Sequence, residues 1–248
     1  MNLRFIFAAV IAINTAATAA DLPSIPAEPI GRKKELLFSD NFERPELGDA
    51  WGRVVPTFTL ENGAMKGTQT RVNAPAADGK PAVVGHQAVT GHDIATKDSV
   101  IEFRFRLAGA TAVSAEFDDR KYTGSHYGHI CFVRITPRNV ILADQKDGSM
   151  RNDIYEMSKD PTKNGERAKL MAGRSASFPV QVETNTWHDV VLETVGDSMR
   201  ATLDGKAVAF LKSSGIAHPT KSKVEFGCAG KDGFFDDIKI WSAEPAKP

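Results

Sequence analysis

The sequence predicts an all-β fold: a jelly-roll sandwich of two antiparallel sheets with a short helical insertion. Three observations carry this. Between 98 and 135, apolar and polar residues alternate in three consecutive runs, the period of strands that bury one face and show the other. Roughly a dozen short runs follow one another with turn residues between them, the rhythm of a sandwich. Asn62-Gly63, set between Thr57–Leu60 and Ala64–Lys66, is a strong short-range hairpin signal.

Each element follows in order. Arg4, the apolar run Phe5 to Ile13 and the small residues Ala16 to Ala20 read as a signal peptide over 1–20, cleaved after Ala19 or Ala20. That run is too short to span a bilayer. The expectation is a secreted or periplasmic protein with no membrane insertion. Residues 21–34 carry three prolines and no periodicity and read as a leader. The sandwich domain is expected over 35–243. It opens with a strand at Leu36–Phe42, followed by Trp51–Val55, the hairpin, a turn-rich loop over 70–81, and a strand at Ala82–Val89 that contains His86. His86 and His92 then flank a loop.

In the central stretch, Ile101, Phe103, Phe105 and Leu107 alternate with Glu102, Arg104 and Arg106. Val113, Ala115 and Phe117 alternate with Ser114, Glu116 and Asp118, and Cys131, Val133 and Ile135 with Phe132 and Arg134. If these strands are neighbours, one face is core and the other gathers Glu102, Arg104, Arg106, Ser114, Glu116, Asp118 and Arg134. Asn139–Ala143 pairs back across Pro137-Arg138. Residues 144–174 break the β rhythm and predict one or two short helices in a long connection beside or over a site. Strands return at Phe178–Val182, Trp187–Glu193, Met199–Leu203, Ala207–Leu211, Lys223–Cys228 and Phe234–Trp241. The last is expected beside an N-terminal strand.

The chain holds 248 residues, with 31 basic and 31 acidic side chains. A net charge near zero argues against nucleic acid or an anionic membrane surface as partner. Two cysteines, Cys131 and Cys228, both in apolar patterns, are compatible with one bridge or with two separately buried thiols.

Three pieces of sequence belong together: Leu37-Phe38-Ser39-Asp40-Asn41-Phe42; Trp187-His188-Asp189-Val190 followed by Leu203-Asp204-Gly205-Lys206; and Phe234-Phe235-Asp236-Asp237-Ile238-Lys239-Ile240-Trp241. Their order and spacing resemble the concanavalin A-like sandwiches of laminin-G-like topology. Within these, the chain is most similar to the secreted bacterial 3-keto-disaccharide hydrolase family, over nearly all of Leu36–Trp241. The resemblance implies a carbohydrate partner. It also implies cleavage of 3-keto-glycosides by C2 proton abstraction, elimination and hydration.

Such chemistry needs a base near neutral pKa and a donor or cation at the enolate oxygen. His126 or His129 is the candidate base, and Arg104 or Arg134 the stabiliser. Glu102, Arg106, Glu116, Asp118, Tyr127 and His86 are candidate substrate-binding residues. His126-x-x-His129 can ligate a metal, or one ring caps the loop while the other is half buried. The charged face can hold a ligand or simply face water as weak ion pairs. Asp118-Asp119 with Asp144, and Asp236-Asp237, are oxygen donors suited to a divalent cation such as calcium, but Asp236-Asp237 better suits a turn into the last strand. His188 is expected on the core side or at an edge, and His218 in solvent. Tyr122 and Tyr127 could stack on a sugar ring; Trp51 could too, but it and Trp241 suit the core. The alternative to catalysis is a glycan-binding or cell-surface interaction module.

Overall fold

The computed structural model describes residues 22–55, 57–76, 82–83 and 85–247. The predicted signal peptide lies outside the described residues. Among the described residues, fifteen strands form two antiparallel sheets packed face to face. The strands are β1 (Gly31–Asp40), β2 (Gly52–Val55), β3 (Phe58–Glu61), β4 (Ala64–Gly67), β5 (Ala88–Thr96), β6 (Ser99–Leu107), β7 (Ala110–Asp118), β8 (His129–Ile135), β9 (Asn139–Asp144), β10 (Ser175–Pro179), β11 (Trp187–Val195), β12 (Ser198–Leu203), β13 (Lys206–Lys212), β14 (Lys221–Gly230) and β15 (Gly233–Pro245). One sheet runs β13-β12-β11-β6-β15-β4-β3, with β1 also paired to β15. The other runs β10-β9-β8-β7-β14-β5-β2. This is the predicted jelly-roll sandwich.

The alternating runs become strands because their apolar halves meet in one core. Phe103 and Phe105 of the first sheet face Phe117 and Phe226 of the second, and all four are buried. Phe226 lies edge-on to Phe103 at 5.4 Å and to Phe235 at 5.3 Å. Each such burial contributes about 1.5–3 kcal/mol. Asn62 and Gly63 both take positive φ, 52° and 71°, and pair Glu61 with Ala64, the primed turn the sequence predicts. The terminal strands pair as expected, from Gly31 opposite Pro245 to Asp40 opposite Ile238.

The central stretch differs from its prediction in one decisive way. β6 pairs with β11 and β15, whereas β7 pairs with β14 and β8, so β6 and β7 belong to different sheets. Alternation shows only that each strand buries one face. It does not say from which side of the core. The polar faces of β6 and β7 therefore point to opposite sides of the molecule.

Smaller differences have local causes. β1 begins at Gly31, inside the predicted leader, because Gly31 donates its backbone N–H to Glu193 Oε1 at 2.9 Å. Residues 22–30 are also fastened: buried Arg200 donates to the carbonyls of Pro26 and Ala27 at 2.9 and 2.8 Å and pairs with buried Glu193 at 2.6 Å. β5 occupies 88–96, not 82–89, so His92 is in a strand and not at the end of a loop. Gly91 looks like a breaker, but lies where a Cβ would collide with the Lys223 side chain on β14. β10 begins at Ser175, earlier than predicted.

The 144–174 insertion holds two short helices, α1 (Asn152–Met157) and α2 (Asn164–Met171), as predicted. Its base is closed by Asp144, whose buried carboxylate accepts from Ser213 Oγ at 2.5 Å and from the backbone N–H of Asp147 and Gly215 at 2.9 Å each. Cys131 and Cys228 are two separately buried thiols. Burial pushes them up to about 12 and about 11, so neither is a nucleophile at neutral pH.

Candidate functional site

The outer face of the second sheet is built from the polar halves of β7, β8, β14 and β5. Register places Glu116 opposite Glu225, Asp118 opposite Lys223, and Ser114 opposite both Gly227 and Arg134. Directly opposed residues share a face, with Cβ atoms about 4.5–5.5 Å apart. The two central strands therefore bring Glu116, Asp118, Lys223 and Glu225 into one patch. A register shift between Phe117 and Asp118 turns His129 of β8 onto the same patch. Its Nδ1 lies 2.8 Å from Asp118 Oδ1 and 3.0 Å from Glu116 Oε1. Lys223 Nζ donates to Glu225.

These are not solvated surface charges. The side chains of Glu116, Asp118, Lys223 and Glu225 are 10, 7, 1 and 7% exposed, and that of His129 19%. Backbone shape makes the room. Gly91 lies where a Cβ would meet Lys223 and come within 3.0 Å of Glu225 Cγ, and Gly227 opens space beside Ser114 and the Gln87 amide. Asp118 takes the Nδ1 hydrogen bond, which leaves Glu116 Oε1 buried without a well-aligned donor. Ser114 Oγ is likewise buried and unpartnered.

Three carboxyl groups face two cations, so the fully ionised cluster carries one surplus negative charge. Burial opposes the charge on His129, but the Asp118 and Glu116 carboxylates outweigh it and push its pKa up to about 10. Burial raises the carboxyl of Glu225, and the Asp118 charge adds to this. Burial also raises Asp118, with the neighbouring Glu116 charge in the same sense. His129 therefore stays an imidazolium at neutral pH.

A rim stands beside the patch. Residues 126–128 form a single turn in which Tyr127 takes φ 52° and is 81% exposed. His126 stacks on Tyr155 of α1 at 3.8 Å, and its backbone N–H donates to the Met150 carbonyl at 2.7 Å. The insertion thus lies next to the site. Burial lowers the pKa of His126, with the positive charge of His129 in the same sense, so its ring is neutral at neutral pH.

Of the predicted site residues, the structure brings together Glu116, Asp118 and His129. Arg134 shares their face across from Ser114, though no ion pair joins it to the cluster among the described residues. His126 and Tyr127 form the rim. His86 is exposed at the loop before β5, where its Nδ1 lies 2.7 Å from the Gln87 carbonyl. Glu102, Arg104 and Arg106 are on the other side of the sandwich. Arg104 lies among Asp189, Asp236 and Asp237 at 3.4–3.7 Å, Arg106 lies over Phe234 and Trp187, and Glu102 accepts from Trp241 Nε1 at 2.9 Å. Their grouping with Glu116 and Arg134 is corrected by the split of β6 and β7 between sheets.

The expected calcium donors are likewise separated. Asp144 is consumed at the base of the insertion. Asp119 accepts from His218 Nε2 at 2.9 Å, and Asp236-Asp237 forms a bulge within β15 in which Asp237 has φ 48°. His218, expected in solvent, is buried against Asp119 and Tyr122. His188 is on the core side as expected, between Asp204 at 2.7 Å and the Glu183 carbonyl at 2.9 Å. Trp51 is core and donates to Asp40 at 2.7 Å.

Sequence reasoning missed Lys223 and Glu225. Their signal was legible: two charged residues two apart, alternating with Val224, Phe226 and Cys228, repeat the pattern of Glu116 and Asp118. A cleft of about 670 Å³ opens elsewhere, between the end of β1, residues 44–50 and residues 237–239. Its principal carboxylate, Asp40, is already committed to Arg44 at 2.6 and 2.8 Å and to Trp51. The buried cluster is therefore the stronger candidate.

No family model matches the sequence, and no curated protein matches it. Solved structures do share its fold. A laminarinase from Flavobacterium sp. UMI-01 is 13% identical with a TM-score of 0.54, over 84% of this chain and 100% of that one. An endo-β-1,3-glucanase from Pyrococcus furiosus is 9% identical with a TM-score of 0.55, over 88% of this chain and 100% of that one. Porphyranase B from Zobellia galactanivorans is 10% identical with a TM-score of 0.51, over 84% and 92%. At these identities the likeness establishes the sandwich fold. No helix among the described residues is long and apolar enough to cross a membrane.

Proposed function

We propose that this chain is an exported carbohydrate-active domain that cleaves glycosides at the outer face of the second sheet, with 3-keto-glycosides as its substrate class. The observation that carries the reading is the buried cluster of three carboxyls and two cations at the centre of that face. The residue resemblance to 3-keto-disaccharide hydrolases and the shared fold with glycan-cleaving enzymes support it. The leader-like N-terminus supports export by a cleaved signal peptide.

The roles differ from those first expected. His129, held as a cation between two carboxylates, is a poor base. Glu225 takes that role, because burial brings its pKa towards neutrality. Its carboxylate removes the C2 proton, which the C3 ketone acidifies. The C–H electrons form the C2–C3 enolate, and negative charge grows on O3. The imidazolium of His129 and the ammonium of Lys223 stabilise that charge in a site with little water. Collapse of the enolate expels the C1 substituent, which takes up the proton that Glu225 removed from C2 and so restores the carboxylate. Water then adds across C1 and C2, so that the net reaction is hydrolysis. Tyr127, at the exposed rim, offers a face on which a sugar ring can stack.

One observation favours a second reading. The cluster is so little exposed that a reacting carbon reaches Glu225 only if neighbouring side chains move aside. A non-catalytic glycan-binding module would need no such access. Incubating the protein with 3-keto-glucosides and with unmodified disaccharides separates the two. Release of product from the keto substrates, lost in Glu225→Gln, supports cleavage. Binding of a glycan without product from either class defeats it.

A further inference from the structure

We propose that Glu116, Asp118 and His129 form a binding site for one divalent transition-metal ion of the Zn²⁺ or Mn²⁺ class. One donor atom from each of the three lies within 4.8 Å of the others. The acidic grouping alone would prove nothing, but Glu116 adds an independent observation. Its residue is 92% buried, and its Oε1 has no aligned hydrogen-bond donor although it points at His129 Nδ1 from 3.0 Å. Buried polar atoms are nearly always hydrogen-bonded, so an oxygen left in this way calls for a missing partner.

An ion here would take the position of the Nδ1 proton, because imidazole binds an ion only when deprotonated. The donors sit on paired strands, β7 and β8, so the site is held in place before any ion arrives.

The donor set selects the class. Two carboxylates and an imidazole suit Zn²⁺, Mn²⁺ or Fe²⁺, whereas Ca²⁺ takes six to eight oxygens. Three protein donors leave coordination positions open, as in sites where a substrate or water completes the shell. In the cleavage reading, the ion would replace the His129 imidazolium as the cation beside O3, with an open position for that oxygen. The inference builds on that reading only in this last step, because the ion can bind whether or not a glycoside is cleaved.

The test uses untagged full-length mature protein dialysed against chelator, then titrated with Zn²⁺, Mn²⁺ or Ca²⁺ alone, with calorimetry and metal analysis as readouts. We expect one Zn²⁺ or Mn²⁺ per chain, a rise in Tm on loading, and weaker binding of Ca²⁺. Glu116→Gln and His129→Gln should each weaken binding by about 100-fold or more, while His86→Gln, at an exposed histidine, leaves it unchanged. Should a variant fail to fold, nitrogen coupling in the spin-resonance spectrum of Mn²⁺-loaded wild type reads the His129 contact directly. Substoichiometric uptake, uptake equal in folded Glu116→Gln, a preference for Ca²⁺, or Mn²⁺ bound without nitrogen coupling would each overturn the assignment. Metal bound without turnover of any glycoside sinks the cleavage reading alone. Turnover in protein that binds no metal sinks this one alone.

Discussion

Glu225 accepts from Lys223 and lies directly across the ladder from Glu116, so removing its charge changes the site without opening a cavity. Glu225→Gln should reduce kcat/KM on a 3-keto-glucoside by about 10²–10⁴-fold while Tm stays within a few degrees. A loss of less than tenfold would remove Glu225 as the base. His188 gives a prediction of a different kind. Burial opposes its charge, but the Asp204 carboxylate and the Glu183 carbonyl outweigh burial and raise its pKa above the ordinary histidine value. A raised folded pKa means that the stabilisation is complete below about pH 6.5 and is lost as pH climbs through the folded value. Thermal melts from pH 5.5 to 9 should therefore show a declining Tm, and Asp204→Asn should flatten the decline just above pH 6.5. An unchanged slope in that variant would show that the pair titrates alike in the folded and unfolded chain. At this scale the sequence was uneven. His188 was legible because Val190 and Leu192 share its period. His218 was not, because a residue before proline in a polar loop looks exposed, and its partner Asp119 is distant in sequence.

Among the elements, Gly91 in β5 is the position where strand and site meet. It permits Lys223 and Glu225 to fold down over the sheet, and a methyl group would strike both. Gly91→Ala should destabilise by about 1–3 kcal/mol, measured by urea unfolding, and should weaken activity as well by displacing Lys223. Full stability with full activity would mean that the lysine shifts freely. Strand existence and hydrophobic face were legible almost throughout, because period-2 alternation is a local property. Which strands share a sheet was not. The polar sides of β6 and β7 look alike in sequence, yet Arg104 and Glu116 are on opposite surfaces. Pairing is decided by contacts between distant segments, such as β14 with β7 and β15 with β6. The candidate site was therefore half visible: β7 and β8 supplied Glu116, Asp118 and His129, whereas Lys223 and Glu225 come from a strand more than ninety residues away.

Across the whole molecule, residues 22–30 act as a strap on the outer side of the first sheet. Its fastening is the buried pair of Arg200 and Glu193, which also takes the N–H of Gly31. Removing one partner leaves the other charge buried and unpaired. Glu193→Gln should therefore cost about 3–5 kcal/mol in urea unfolding and expose residues 22–30 to proteolysis. A cost under 1 kcal/mol would show that the strap contributes little. The strap looked like a loose leader because its attachment is made by carbonyl groups, which composition does not reveal.

The position of β15 bears on how the protein comes into being. This 13-residue segment fills the gap between β6 and β4 and is the only partner of β1 among the described strands. A growing polypeptide that has not yet produced β15 cannot close the first sheet, however much of the preceding chain has been synthesised. Closure of that sheet must wait for β15, a consequence of contacts so remote along the chain. Such a delay fits the proposed export, in which a chain threads through a membrane pore before it acquires shape. Nascent chains stalled after Gly230 should remain sensitive to protease, and those released at full length should become resistant.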